Sequence, residues 1–159
     1  MRNYITALGL LLGLGLSAQT HQIEKHNGES LDVNFIKYED DILHYSSEGS
    51  DQEFRISKHA VAYLHDKNVA SKEAITSKII IDSKKDFDKV AVLDNEQAVG
   101  LNKQKDIEIY HGINKGGTSH FIKEDTIRRL KYKSAELGYP FITIIGKSNG
   151  KYSAVAYNY

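Results

Sequence analysis

The 159-residue chain contains no cysteine. That excludes a disulfide scaffold, a thiolate metal site, a cysteine nucleophile and a lipid anchor attached through a thiol. Net charge is missing too: 21 basic residues stand against 21 acidic ones, with no basic cluster among them. Nucleic acid is therefore not an expected partner, because neutralising phosphates takes a concentrated positive face. Nor is there an apolar run of membrane-spanning length. The run from Ile5 to Leu16 falls short of the roughly 20 apolar residues that cross a hydrocarbon core.

That run fits a different pattern. Arg2 precedes it and the small residues Ser17 and Ala18 follow it, which is the three-part layout of a secretory signal peptide. Residues 1–18 are expected to be removed, leaving Gln19 first and sending the protein to the periplasm or outside the cell. No integral membrane segment is expected after cleavage.

Residues 19–66 read as a small all-β module. In "ESLDVNFIKYE" the apolar Leu31, Val33 and Phe35 alternate with Asp32 and Asn34, as in a strand with one buried face. Asn27-Gly28 before it and the acidic stretch Glu39, Asp40, Asp41 after it mark turns. "ILHYSS", "QEFRIS" and "KHAVAYLHD" continue the series, the last with a short helical turn at its start. Turns every eight to ten residues or so predict a small curled sheet or an SH3-like barrel. Residues 67–77 are polar and read as a linker, with room for a short helix over residues 71–76.

Residues 78–159 predict an antiparallel sheet with one packed helix. "KIIID", "DKVAVLD", "EQAVGL" and "KDIEIYH" are extended candidates. "KEDTIRRLKYKSAELG" is the helix: Ile127, Leu130, Ser134 and Leu137 recur at three- and four-residue spacing, with Ala135 beside them. Glu124 and Asp125 are expected in its first turn, where acidic groups suit the helix dipole, and Gly138 and Pro140 mark its end. "FITII" and "YSAVAYNY" then form a hairpin around Asn149-Gly150. The fold class is α+β and β-rich.

Two resemblances follow. The stretch from "IEKHNGESLDV" to "ISKHAVAYLHD" resembles a small β-rich module of exported bacterial proteins, which implies a fold but no activity. "DKVAVLDNEQAVG" with "EDTIRRLKYKSAELGYPFITI" resembles the sheet-plus-helix domains of the heavy-metal-binding-like YbjQ family and of Rcs-type envelope stress lipoproteins. Here "GYP" stands at Gly138 to Pro140 where those families favour "GAN", and the stress lipoproteins' cysteines are missing. The resemblance therefore implies the fold and leaves a sensing or metal role without support.

The sharpest motif is "GINKGGTSH", residues 112–120. Gly112, Gly117 and Ser119 hold phosphate-loop spacing, but Thr118 takes the position of the essential lysine. The strand before it, "KDIEIYH", alternates like a half-solvated strand, whereas a phosphate-loop strand is buried on both faces. It reads as a strand-to-helix connection. His111 and His120 bracket it with Lys115 between them, and these three are the candidate ligand-binding residues. Zinc-site spacing is absent around them and around the other histidines, and Asp82, Asp86 and Asp88 lack the order of an EF-hand, so no metal or cofactor is expected.

Catalytic residues are not expected either. There is no nucleophile elbow, and the serines of "HYSSEGSD" and the carboxylates Glu39, Asp40 and Asp41 sit in polar turns. Tyr152 on one face and Tyr157 with Tyr159 on the other make the last strand a candidate for pairing with a peptide. The expectation is an exported, non-enzymatic binding or interaction module of the bacterial cell envelope with an envelope protein or peptide as partner. The alternative is a small metal-dependent or hydrolytic enzyme built on the His111/His120 loop.

Overall fold

Alternating side chains build the first sheet. The structure, a computed structural model, describes residues 20–50, 52–110, 119–148 and 151–159. The strands are β1 (His21–Lys25), β2 (Ser30–Glu39), β3 (Ile42–Ser46), β4 (Glu53–Ser57), β5 (Val61–Asp66) and β6 (Ser71–Ala74), in the order β4-β3-β2-β1-β5-β6. Every pairing among them is antiparallel. β2 serves two neighbours, pairing first with β1 and then with β3, and its register shifts between Phe35 and Lys37. That division bends the sheet around Ile23, Val33, Leu43, Ile56, Val61 and Leu64, all buried.

Closure stops short. β4 and β6 remain the two outer strands, so the sheet is curled and open and forms no closed barrel. β6 also falls inside the 67–77 stretch expected to be a linker or short helix. Its sequence, SKEA, is exposed at every residue, which is why no apolar period announces it; pairing to β5 makes it a strand.

The second sheet has the order β7-β9-β10-β8, from β7 (Ala91–Leu93), β8 (Asn102–Tyr110), β9 (Phe141–Ser148) and β10 (Lys151–Asn158). β10 pairs antiparallel with β8 and β9, while β7 runs parallel to β9. Helix α1 (Ser119–Glu136) buries Leu130, Ser134 and Ala135 with Ile107, Ile142, Ala154 and Ala156 of the sheet. It starts before the expected "KED", so Glu124 and Asp125 lie in its second turn. At its other end Gly138 takes φ 78°, the Gly138 N–H donates to the Ala135 carbonyl, and the Tyr139 N–H donates to the Ser134 carbonyl. This pair of bonds is the Schellman closure, which a Cβ at Gly138 would strain.

Two other extended expectations give way. "EQAVGL" contains a 3₁₀ turn, Glu96–Ala98, and "KIIID" forms no strand. Its isoleucines divide instead: Ile79 packs against the core of the first sheet, Ile81 against that of the second, and Ile80 is exposed between them. Consecutive apolar residues here reflect two cores being served in turn.

The sheets share one seam. Leu93, Leu101 and Phe141 join Ile23, Val33, Leu43, Ile56 and Val61 in one buried cluster. The Ser57 N–H donates to the Val99 carbonyl at 2.8 Å, and Gly100 packs directly on Ile56. Phe141 meets the rings of both His59 and Tyr159.

Candidate functional site

The site begins with a capped turn. Ser83 precedes the 3₁₀ turn Lys84–Lys89, and its hydroxyl accepts the Lys85 N–H while the Asp86 carboxylate accepts the Ser83 N–H, a reciprocal capping box. Asp86 also accepts from the Asp82 N–H and pairs with Lys89 at 2.7 Å. Its carboxyl is held below the usual value, chiefly by Lys89 and then by the Ser83 N–H. Of Asp82, Asp86 and Asp88, weighed as a calcium set from sequence, Asp86 turns its carboxylate to the backbone of the cap, where it accepts from the Asp82 and Ser83 N–H groups.

This turn holds Phe87 against α1. Lys131 of the helix donates to the Asp88 carbonyl at 3.3 Å, tying the two segments, and Phe87 meets Tyr132 with ring centroids 5.9 Å apart and planes inclined by 51°. The Lys84 ammonium lies 5.8 Å from the centre of the Tyr132 ring, within range of a cation–π attraction.

The helix supplies the charge. Arg128 and Arg129 lie three and four residues after Asp125 and four and three before Tyr132, so each reaches both along one side of the helix. Arg128 donates from Nη2 to Asp125 Oδ1 at 3.0 Å, and Arg129 from Nε to Asp125 Oδ2 at 2.7 Å. These arginines hold the Asp125 carboxyl below its ordinary value, Arg128 foremost. One carboxylate thereby orients two guanidiniums, each of which has further N–H donors. Phe87, Arg128, Arg129 and Tyr132 line a cleft of about 330 Å³. Arg128 and Arg129 belong to its described lining, Asp125 lies against both, and Lys84 adds a third cation at the Tyr132 ring.

The arrangement suits capture of a ligand. It has an aromatic floor and cationic donors at the lip, and its described lining holds no nucleophile with a base. Among the described residues no group of three His, Asp or Glu side chains is placed to hold a metal ion, and no helix is long and apolar enough to cross a membrane.

None of the residues expected from sequence is among the described lining of the cleft. His111 and Lys115 lie outside the described residues; His120 is placed in the first turn of α1, and its side chain is outside them. Tyr152, Tyr157 and Tyr159 do not form a free edge. β10 is hydrogen-bonded to β9 on one side and β8 on the other, so it has no row of open backbone groups to offer a peptide. Tyr152 packs on the helix side of the sheet and Tyr157 and Tyr159 on the seam. The correction has a simple cause: the strand order places the last strand in the middle.

Sequence reasoning passed over the cleft. The Asp-x-x-Arg-Arg-x-x-Tyr spacing and the Ser-x-x-Asp cap were both visible, but nothing in a linear pattern says that Phe87 meets a residue 45 positions later. No protein-family description, no curated protein and no solved structure matches the chain.

Proposed function

We propose that this chain is an exported, non-enzymatic binding module of the bacterial cell envelope, and that it takes its ligand in the cleft between the Lys84–Lys89 turn and α1. The observation that carries the reading is the cleft itself: an aromatic pair, Phe87 and Tyr132, beneath two arginines oriented by a shared carboxylate. Ligand sites typically pair an apolar lining with a few placed polar groups. Export is proposed from residues 1–18, whose basic, apolar and small-residue segments follow one another as in a signal peptide. The sheet with one helix is in keeping with a YbjQ-like or Rcs-type relationship, and the bent first sheet with an SH3-like layout left open at β4 and β6.

The test is a ligand screen by amide NMR on the chain from Gln19. A panel of envelope extracts, peptides, metal ions and small organic anions is titrated against it. Shifts concentrated at Phe87, Arg128, Arg129 and Tyr132 are expected. A cleft silent to the whole panel, or turnover of a hydrolysable substrate that needs His111 and His120, overturns the reading.

A further inference from the structure

We infer that the cleft recognises a small organic anion with a flat aromatic body and a single carboxylate-like head; this rests on the binding reading above and gives it a ligand class. Four observations converge. The floor is aromatic: Phe87 and Tyr132 touch, inclined by 51° with centroids 5.9 Å apart, and their outer faces form a tilted platform on which a planar group can lie. The rim is cationic, with Lys84 over the Tyr132 ring and Arg128 and Arg129 beside it.

The arginines also meet Asp125 before any ligand arrives, although their side chains are 69% and 53% exposed. Each gives Asp125 one N–H, from Nη2 of Arg128 and from Nε of Arg129, which biases the guanidiniums toward this face and leaves each with N–H groups able to donate again. Pre-orientation lowers the ordering cost of binding. A cleft of about 330 Å³ lies at the lower end of the volumes that hold small organic ligands, which favours a compact ring system over a long chain.

Asp125 sets the charge of the guest. Among the described residues the cations Lys84, Arg128 and Arg129 are partly offset by Asp125 and by Glu136, which feels the charge of Lys84, so one negative charge suits the rim better than several. A bare inorganic anion finds the donors but leaves both rings wet. A neutral aromatic covers the rings and leaves the arginines without an anion. Only a guest with both parts satisfies both halves.

The probe is 2-naphthoate, titrated by calorimetry and amide NMR into the folded chain from Gln19, beside inorganic phosphate and neutral 2-naphthalenemethanol. Saturable one-to-one binding of naphthoate is expected, with each comparison compound weaker by about tenfold or more, the loss expected for a missing charge-assisted contact. Arg128→Gln with Arg129→Gln, and separately Tyr132→Leu, should each weaken it by about tenfold while the circular dichroism melt stays cooperative. Phosphate binding as well as naphthoate, or naphthoate binding that survives both changes, overturns the inference. If naphthoate fails while a peptide or an extract component shifts the Phe87 and Tyr132 amides, the inference falls and the binding reading stands. If nothing shifts them, both fall.

Discussion

Tyr159 meets His26 edge-on, with ring centroids 4.8 Å apart, and this contact bridges the two sheets. The tyrosine hydroxyl accepts the Ile79 N–H at 2.6 Å, its carbonyl accepts from Asn102, and its ring stands edge-to-face on Phe141 at 5.2 Å. The histidine in turn touches Thr76. Because the one hydrogen of the Thr76 hydroxyl is turned to the Val61 carbonyl at 2.7 Å, with the Lys58 carbonyl beside it at 3.0 Å, the bond at 2.9 Å requires His26 Nε2 to carry hydrogen and donate.

Ring and hydroxyl of Tyr159 separate by substitution. Tyr159→Phe removes the acceptor for the Ile79 N–H and should cost about 1 kcal/mol. Tyr159→Ala also removes the ring from between His26 and Phe141 and should cost about 3 kcal/mol, the lower end for a large aromatic because this ring is only half-buried. Urea unfolding followed by circular dichroism measures both, and equal losses would assign the whole effect to the hydroxyl.

The seam also predicts a pH response. Burial, followed by the Lys78 ammonium, lowers the His26 pKa below 6.5, and burial with Lys58 lowers that of His59, against a smaller opposing pull from Asp41. Each ring binds a proton more weakly folded than unfolded. Stability is therefore full above the unfolded imidazole value and is lost as pH falls from about 6.5 toward the depressed folded values. The seam's carboxylate, Asp41, has a pKa lowered from 3.8, first by Lys58, so its own loss comes in a separate, more acidic window. Melting temperatures between pH 7.5 and 5 should fall in the wild type and fall less in His26→Gln with His59→Gln; parallel curves would clear both histidines.

Gly100 tests whether the two sheets unfold together. Its φ is 87°, and a Cβ there would lie 2.6 Å from Ile56 Cγ1. Gly100→Ala combines left-handed strain with overpacking and should cost about 2 to 4 kcal/mol. Ile56 belongs to the first sheet and Gly100 to the approach to β8, so one shared transition should move to lower temperature. Loss confined to one of two separable transitions would show that the seam does not couple them.

Much of this fold was written in local pattern, and the parts that were not have a common cause. Leu31, Val33 and Phe35 disclose β2 because one face is buried and the other wet, and Leu130, Ser134 and Leu137 disclose α1 for the same reason at a different period. β6 is exposed at every residue, and Ile79 to Ile81 serve two cores with one residue turned out, so burial leaves no period to read in either. The role of β10 depended on strand order, which alternation does not carry. The cleft joined two patterns that were each legible, a capped turn and a charged helix face, through a contact between Phe87 and Tyr132 that only folding supplies.

That division suggests a last variant, at a residue that never reaches the cleft. Ser83 lies outside its lining, yet the Ser83 hydroxyl and the Asp86 carboxylate close the cap that holds Phe87 in place. Ser83→Ala leaves Lys85 without its side-chain acceptor and should lower stability by about 1 kcal/mol, the usual loss for a capping residue. Lys131 still grips the Asp88 carbonyl, so the turn should stay on the helix while Phe87 gains freedom. Naphthoate affinity should then drop several-fold with the arginine contacts intact, and the amide shifts at Arg128 and Arg129 should persist while those at Phe87 shrink. Unchanged affinity would mean that Tyr132 and the arginines hold the ring alone, and that Phe87 serves the fold.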